Sequence, residues 1–171
     1  MKFWQTRYPS GVLSYQSIKR IAPLKPIVER TVHTTGLTYG LGPCSYDIRI
    51  AQDISVEPNK CYLVSSIEEF NMPWNICGTI QDKSTWARKF LVFQNTHVDP
   101  GFTGYITLEA TYHGTDSFLI KAGTPIAQVK FEWLDEPTKY PYSGKYQNQK
   151  QAPQEAIFGS FTSVPNTRRS S

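Results

Sequence analysis

The stretch Tyr105-Ile106-Thr107-Leu108-Glu109-Ala110-Thr111 decides the fold class, because its apolar and polar residues alternate one by one. Successive side chains of an extended strand point to opposite faces of a sheet. Ile106, Leu108 and Ala110 therefore form an apolar face, and the residues between them form a polar one. The pattern predicts a half-buried β-strand. On its own, Glu109 is consistent with an ordinary solvent-facing side chain.

Short apolar stretches of the same kind occur on both sides of this strand. Twelve Pro and 11 Gly residues punctuate the chain and supply turns between them. The stretches are residues 46–50, 61–65, 90–93, 118–120 and 126–133. Residues 13–20 instead fit a short helix with Ser14 or Ser17 near its start. The sequence predicts a mainly β sandwich or barrel with one or two short helices.

Length, composition and charge indicate one folded domain over residues 1–171. Hydrophobic residues make up 39% of the chain, enough for a core at this length. The net charge of +4 slightly favours anionic ligands and is too small for a nucleic-acid groove. The three cysteines are far apart, and neither a signal peptide nor a membrane-spanning run is evident. We expect a cytoplasmic protein without disulfides or contact with a membrane.

Residues 82–88 interrupt the strand pattern and predict a single helical turn. Ser84 and Arg88 are four residues apart and share a face of such a turn, and Asp82 is a plausible N-cap. Free N–H groups at the start of the turn, the Ser84 hydroxyl, Lys83 and Arg88 together form a phosphate-binding arrangement. An ordinary polar surface turn is the alternative interpretation.

Several segments resemble, in the same order, the motifs of dCTP deaminases. Residues 36–49 resemble the family segment SYGLSSYGYDVR, and residues 82–88 resemble GKSTYAR or GRSSLAR. Residues 98–109 resemble IDPGFEGHITLE, residues 122–129 resemble AGMRIAQL, and residues 144–149 resemble GKYQxQ. An ordered set of motifs is far more specific than any single one.

This resemblance extends over residues 36–150 and carries implications for fold and assembly. It implies a dUTPase-like fold, which is a distorted β-barrel or jelly roll, assembled as a homotrimer with active sites between subunits. Residues from approximately 140 to 171 would form a C-terminal closing segment and tail. Residues 1–35 match the family weakly, and no function is assigned to them.

The resemblance also implies which residues perform the reaction. Deamination adds water at C4 of cytosine, and Glu109 would take a proton from the water and return one to the departing amine. Ser84 and Arg88 would hold the catalytic water and Glu109. The other residues that the resemblance implies in substrate binding are Lys83, Thr85, Trp86, Ala87, Asp99, Thr107, Leu108, Gln128, Tyr142, Lys145 and Gln149.

Three of these residues would contact the nucleoside and its first phosphate. Asp99 would bind the deoxyribose 3′-hydroxyl, Thr107 the edge of the base, and Gln128 a phosphate or the sugar. The implied ligands are dCTP or dUTP, with Mg²⁺ bound through the triphosphate. Relatives are often inhibited by dTTP, which is a further candidate ligand.

The C-terminal residues would close over the triphosphate. Tyr142, Lys145 and Gln149 have this role by resemblance, and Tyr140 is the competing tyrosine because the spacing to Lys145 is shorter than in the family. Farther along, Phe158-Gly159-Ser160 resembles the closing tail of dUTPases, although a tail strand or loose end explains so short a match equally well.

A glutamate ten residues after Asp99 separates deaminases from dUTPases, which generally carry an apolar residue there, and this chain has Glu109. The alternatives are a dUTPase, or a bifunctional enzyme that converts dCTP to dUMP and pyrophosphate with Asp99 as the activating group. A non-catalytic nucleotide sensor on the same fold is a second alternative. Two departures from the family bear on this choice: residues 94–97 read Gln-Asn-Thr-His, and Asp82 replaces the common glycine.

A zinc-dependent deaminase would need different residues. Such enzymes hold the metal with a His-x-Glu and a Pro-Cys-x-x-Cys motif. Here Pro43-Cys44 lacks a second cysteine at the required spacing, and the histidines show no ligand-like pairing. We therefore expect no protein-bound zinc and interpret His33, His97 and His113 as ordinary surface or turn residues.

Overall fold

The computed structural model describes residues 10–158, which form β-sheets and two short helices. Helix α1 spans Tyr15–Ile21, with Ser14 at its N-cap. Helix α2 spans Ser84–Arg88 and is a little more than one turn long. The prediction of a mainly β protein with one or two short helices is confirmed.

The strands follow one another along the chain with few other elements between them. In chain order they are β1 (Gly11–Val12), β2 (Leu24–Lys25), β3 (Thr31–Val32), β4 (Thr38–Leu41), β5 (Tyr46–Arg49), β6 (Ile54–Val56), β7 (Cys61–Asn71), β8 (Ile76–Asp82), β9 (Leu91–Phe93), β10 (Thr96–Val98), β11 (Thr103–Tyr112), β12 (Phe118–Ile120) and β13 (Pro125–Trp133).

In the described part of the chain these strands form two main sheets and one small one. The larger sheet has the order β10-β8-β13-β5-β4-β3, with β1 also paired to β13. The second sheet has the order β2-β7-β11-β9, and β6 pairs with β12. The paired strands are antiparallel, as expected for a chain of short strands joined by tight turns.

The two main sheets pack against each other through an aromatic core. Phe70 of β7 and Phe131 of β13 are both fully buried, and their ring centroids lie 6.5 Å apart. The apolar face of β11 contributes Ile106, Leu108 and Ala110, which are 6%, 0% and 1% exposed. The faces predicted for this strand are therefore confirmed.

An ion pair also joins the two sheets. Arg49 of β5 donates to the carboxylate of Glu68 on β7 from its Nε, at 2.8 Å, and from its backbone N–H, at 2.9 Å. The Glu68 side chain has no exposed surface. Burial raises the pKa of Glu68, and the hydrogen bonds from Arg49 oppose that rise. The guanidinium carbon of Arg49 lies 4.6 Å from the centroid of the Tyr39 ring, which fixes it further.

Some predicted boundaries differ from the structure. The first helix runs over Tyr15–Ile21 rather than residues 13–20. The strand predicted to start at Phe90 starts at Leu91, because Phe90 has a left-handed backbone with φ of 62°. Among residues 10–158, no helix is long and apolar enough to cross a membrane.

Candidate active site

A cavity of about 430 Å³ lies where the polar face of β11 meets the turn after β10 and the C-terminal residues. Five residues implicated by sequence line it: Asp99, Thr107, Glu109, Tyr142 and Gln149. They come from positions up to 50 residues apart in sequence, since Asp99 and Gln149 mark the two ends. The fold therefore brings the predicted base contact, one sugar contact and one of the three predicted catalytic residues, Glu109, to one place.

Strand β11 supplies the side chain predicted to contact the base and the side chain predicted to transfer protons. Thr107 and Glu109 are two residues apart and so share the polar face of the strand. The backbone carbonyl of Glu109 accepts a hydrogen bond from Gln94 at 2.8 Å, beyond the end of β9. The Glu109 side chain lines the cavity and is exposed in the single chain. The Glu109 side chain is therefore accessible to a ligand and is not part of the core.

The turn after β10 carries Asp99 into the cavity wall. Its backbone carbonyl accepts the N–H of Phe102 at 3.2 Å, which closes the turn. Gly101 within the turn has φ of +83°, and a Cβ there would lie 2.6 Å from Cβ of Pro141. Glycine at this position thus permits both the turn and the close approach of the C-terminal residues.

His97, which the sequence alone indicates to be an ordinary surface or turn residue, lines the cavity. It lies in β10, and its Nε2 is 3.5 Å from Oδ1 of Asp99. It lines the main cavity and also a neighbouring cavity of about 420 Å³ that includes Cys77 and Tyr140. The only hint in the sequence was the unusual stretch at residues 94–97, in which His97 stands.

Residues 141–157, the closing segment, lie along the start of β11. The backbone N–H of Asn148 donates to Thr103 at 2.8 Å, and Tyr105 donates to the carbonyl of Gln149 at 3.0 Å. Gly104 lies between these contacts, and a Cβ at this position would be 2.6 Å from the backbone nitrogen of Gln149. The segment therefore extends the sheet by a short parallel bridge.

The Thr107 hydroxyl is shared by two residues of the closing segment. It accepts a hydrogen bond from the backbone N–H of Gln154 at 2.9 Å. The side-chain amide of Gln149 also contacts it. Thr107 therefore links the polar face of β11 to the segment that covers it, and both glutamine residues line the cavity.

Of the two competing tyrosines, Tyr142 lines the main cavity. Its ring packs edge-on against Phe102, with centroids 5.7 Å apart, and its hydroxyl accepts the N–H of Tyr146 at 3.2 Å. Tyr140 is 90% exposed and borders only the neighbouring cavity among the cavities described. Tyr146, which also lines the main cavity, was not among the residues chosen from sequence.

Lys145 belongs to the closing segment but does not line the main cavity. Its Nζ contacts the carbonyl of Ile157 and lies 5.2 Å from the centroid of the Tyr146 ring and 5.8 Å from that of Phe158. In this arrangement the ammonium holds the two ends of the segment together. Gly159 and Ser160, which complete the tail resemblance, lie outside the described residues.

The predicted phosphate turn is formed as one turn of helix, and its residues do not line the main cavity. Ser84, Thr85 and Arg88 are exposed, and Ala87 is half-buried. Lys83 donates to Oδ2 of Asp47 at 2.6 Å and is only 13% exposed. In the single chain, Ser84 and Arg88 are thus separate from the cavity that Glu109 lines.

The predicted N-cap of this turn is wrong. Lys83 occupies the N-cap position, and Asp82 is the last residue of β8. The carboxylate of Asp82 instead accepts the backbone N–H of Phe93 at 2.7 Å. A partner eleven residues away in the chain therefore displaces the local capping bond.

The side chains of three further residues implicated by sequence pack or form hydrogen bonds within the protein. Trp86 is 9% exposed, stacks on Phe118 with centroids 6.1 Å apart, and donates to the carbonyl of Pro125 at 2.7 Å. Leu108 is fully buried in the core. The side chain of Gln128 donates to the carbonyl of Asp82 at 3.1 Å. Any ligand contact from Trp86 or Leu108 would have to use the backbone.

The described residues contain no group of three or more His, Cys, Asp and Glu side chains that could hold a metal ion. The carboxylates nearest the cavity are Asp99 and Glu109. A divalent cation at this site would therefore take its other ligands from a bound nucleotide, since Mg²⁺ commonly binds through substrate phosphates. The residues present fit a metal that arrives with a triphosphate.

This chain is similar in sequence to known proteins of one family. The family model described as dCTP deaminase-like matches residues 45–134. The dCTP deaminase of Campylobacter curvus is 31% identical over 161 residues, covering 75% of this chain and 87% of that protein. The dCTP deaminase of Thermococcus kodakarensis is 27% identical over 139 residues, covering 78% of this chain and 90% of that protein.

Solved structures show the same fold. The 2′-deoxycytidine 5′-triphosphate deaminase from Agrobacterium tumefaciens superposes with a TM-score of 0.61 at 17% identity, over 74% of this chain and 49% of that one. A mutant dUTPase from phage phi11 of S. aureus superposes with a TM-score of 0.53 at 15% identity, over 72% of this chain and 97% of that one. The predicted dUTPase-like fold is confirmed.

Proposed function

The chain belongs to the dCTP deaminase family, and from this premise we propose that it hydrolyses dCTP to dUTP and ammonia. The observation that carries the proposal is the grouping of Asp99, Thr107 and Glu109 around one cavity. These residues provide a carboxylate for proton transfer, a hydroxyl for the base and a second carboxylate for the sugar.

Glu109 is the residue to which we assign proton transfer. The oxygen of water forms a bond to C4 of cytosine while Glu109 takes a proton from the water and delivers it to N3. Glu109 then takes the proton of the new hydroxyl and passes it to the exocyclic amine, the C4–N bond breaks, and ammonia leaves as the C4 carbonyl forms. One carboxylate can act first as base and then as acid in this sequence.

Asp99, Thr107 and the closing segment would orient the substrate. The Asp99 carboxylate can accept a hydrogen bond from the 3′-hydroxyl of deoxyribose. The Thr107 hydroxyl can bind the edge of the base once it gives up its hydrogen bond from the N–H of Gln154 in the closing segment. Tyr142 and Gln149 would cover the ligand from the same segment. Their closure would exclude water other than the attacking molecule.

We also propose that the protein assembles as a homotrimer with active sites between subunits. In the single chain Ser84 and Arg88 are exposed on α2 and do not line the cavity of Glu109. A second copy that brings its own α2 to this cavity would supply the phosphate-binding residues. The exposure of Glu109 supports the same arrangement, because a proton-transfer group works best when partly desolvated.

Mg²⁺, carried by the triphosphate, would neutralise phosphate charge when bound. Lys83 and Arg88 would add positive charge on the protein side, and Lys145 would do so after releasing Ile157. We propose that deamination proceeds without zinc. The sequence supports this, since it has no Pro-Cys-x-x-Cys motif.

Two related activities would use the same cavity. A dUTPase or a bifunctional enzyme would attack the α-phosphorus with a water activated by Asp99, and release pyrophosphate. Asp99 is exposed at the cavity wall beside His97, which is compatible with that role. A nucleotide sensor would bind the same ligands without turnover.

Product analysis separates these functions. The purified protein is incubated with Mg²⁺ and either dCTP or dUTP, and nucleotides, ammonia and pyrophosphate are resolved with time. We expect dCTP to yield dUTP and ammonia in equal amounts. Formation of dUMP and pyrophosphate from dCTP would indicate the bifunctional enzyme, and pyrophosphate from dUTP alone would indicate a dUTPase. Tight binding without turnover would indicate a sensor.

A further inference from the structure

The pairing of β11 with β7 is irregular immediately before Thr107. Tyr105 lies opposite Glu69, whereas Thr107 lies opposite Ser65. Three residues of β7 therefore face the single residue Ile106, which makes a β-bulge with two surplus residues on β7. Because the surplus is two residues, both strands keep their alternation of faces on either side of it. The bulge thus lies directly before the part of β11 whose polar face lines the main cavity.

The hydroxyl of Ser66 takes the place of the strand partner that the bulge removes. Its Oγ accepts the backbone N–H of Ile106 at 3.1 Å and donates to the carbonyl of Glu68 at 2.7 Å. Ser66 has no exposed surface, and Ile106 is only 6% exposed. A buried N–H that loses its partner costs free energy, because water cannot readily replace the bond. The backbone of β11 therefore depends on the Ser66 side chain at its irregular point.

Contacts with β5 and the residues after it hold the bulge in place. The Glu68 carboxylate accepts the backbone N–H and the Nε–H of Arg49. The carbonyl of Ser65 accepts the N–H of Ala51 at 2.8 Å. The bulge is thus fixed to the larger sheet, and the hydroxyl of Ser66 links it to β11.

The residue held by Ser66 directly precedes those that we propose to act on dCTP. Ile106 lines the main cavity, Thr107 is the next residue, and Glu109 follows two residues later. These residues belong to one chain and line one cavity, so their relative placement does not depend on which copy supplies α2. Bulges are frequent next to active sites, where they change the direction of a side chain.

We propose that Ser66 is a positioning residue, which directs Thr107 and Glu109 into the main cavity through its hydrogen bond to the backbone of Ile106. This inference rests on the proposed deamination. Ser66 does not line the cavity, so it acts through β11 and not on the substrate. Catalytic rates are sensitive to such placement, because small displacements of a reacting group reduce turnover strongly.

The test compares Ser66→Ala with Ser65→Ala. Ser65 is adjacent and equally buried, but among residues 10–158 its hydroxyl forms a single longer bond, at 3.4 Å to the carbonyl of Ser66. We expect Ser66→Ala to lower kcat for dCTP by about tenfold with less than about a threefold change in KM, and Ser65→Ala to stay within about twofold of the wild type. Hydrogen exchange of the Ile106 amide should accelerate in Ser66→Ala and not in Ser65→Ala.

Two further variants separate positioning from stability. Val56 of β6 is fully buried and does not line the cavity, so Val56→Ala should lower the melting temperature without lowering kcat. Ser66→Cys keeps a side chain of similar size with a weaker acceptor, and we expect its kcat to be about threefold below that of the wild type. It also provides the comparison if Ser66→Ala does not fold.

Three results would overturn the inference. The first is a wild-type-like kcat in Ser66→Ala or, where that variant does not fold, in Ser66→Cys. The second is an equal loss in Ser65→Ala, and the third is an equal loss in Val56→Ala, which would make the effect one of stability alone. Failure of the proposed function is distinguishable, since the wild-type protein would then form no dUTP. In that event unchanged exchange of the Ile106 amide in Ser66→Ala would still reject the role of the hydrogen bond, and accelerated exchange would support it.

Discussion

The side-chain amide of Gln147 donates to the carbonyl oxygen of Gly101 at 2.9 Å, while its own oxygen accepts the N–H of Thr103 at 3.0 Å. One side chain thereby fastens the closing segment to both ends of the short link that follows Asp99. The bonds are part-buried, so the backbone groups involved depend on Gln147 rather than on water.

Gln147→Leu should loosen the closing segment while preserving much of the side-chain volume. Two part-buried backbone groups would lose their partners, at a cost of about 1–3 kcal/mol each. We expect the KM for dCTP to rise by about tenfold or more, with a smaller change in kcat, measured by steady-state kinetics. Gln151→Leu is the control, because Gln151 is an exposed residue of the same segment with a single 3.3 Å contact to Ile67. Equal effects of both substitutions would contradict the role of Gln147 in holding the closing segment.

Glu109→Gln should abolish deamination and leave nucleotide binding largely intact. The amide cannot accept a proton from water, so kcat should fall by about 10²–10⁴-fold, the range typical of a lost general base. Ammonia release measures turnover, and calorimetric titration with dCTP and Mg²⁺ measures binding. Glu136→Gln, at an exposed glutamate outside the cavity, is the control. Deamination at the wild-type rate by the Glu109 variant would remove this residue from the mechanism.

The choice between the two tyrosines can be tested directly. Tyr142→Ala removes an aromatic ring from the cavity wall and should raise the Kd for dCTP by about tenfold, equivalent to about 1.4 kcal/mol. Tyr140→Ala removes a ring that is 90% exposed and should leave the Kd unchanged. The reverse order of effects, in equilibrium titrations of the two variants, would assign the role to Tyr140.

Arg49→Met should destabilise the protein by about 3–5 kcal/mol, because it leaves the buried Glu68 carboxylate without its charged partner. Replacing both residues, as Arg49→Met with Glu68→Met, should recover most of this loss, since neither charge is then buried alone. Urea unfolding of the two variants and the wild type measures the difference. A double variant no more stable than the single one would show that the pair contributes through more than charge compensation.

The pH dependence of Arg49→Met has a definite sign. Burial raises the pKa of Glu68, and the substitution removes the guanidinium, whose hydrogen bond and charge oppose the rise, while the backbone N–H of residue 49 still donates to the carboxylate. A folded-state pKa above the unfolded value gives stability that is present below the unfolded pKa and is lost as pH rises through the folded pKa. The variant should therefore be closest to the wild type at and below the ordinary glutamate pKa of 4.5, and farthest from it at neutral pH and above. Thermal unfolding at several pH values checks this.

Much of the site could be predicted because its signal is local. The period of two over residues 105–111 determined which side chains of β11 face the core, and so placed Thr107 and Glu109 together on the polar face. The four-residue spacing of Ser84 and Arg88 likewise matched the helical turn that the structure shows. Resemblance added Asp99, Tyr142 and Gln149, which line the same cavity.

What could not be predicted depends on contacts between distant parts of the chain. The sequence predicted Asp82 as a helix cap. This was wrong, because its actual partner, the N–H of Phe93, comes close only when β8 and β9 are folded. His97 carried no motif, and its place beside Asp99 follows from the path of β10. A motif also does not state whether a residue meets its ligand through backbone or side chain, as the buried Trp86 and Leu108 illustrate.

The parallel bridge between Gly104 and Gln149 has a consequence for aggregation. Strand β9 covers β11 only at Ala110–Tyr112, and the closing segment bonds to the start of β11, at Thr103 and Tyr105. Lifting of the segment would expose a strand edge on which the N–H of Tyr105 and the carbonyl of Thr103 have lost their partners. Such edges recruit strands from other molecules. The closing segment would thus protect the edge of its own sheet from pairing with other molecules. Excess nucleotide that holds the segment in place should therefore slow aggregation.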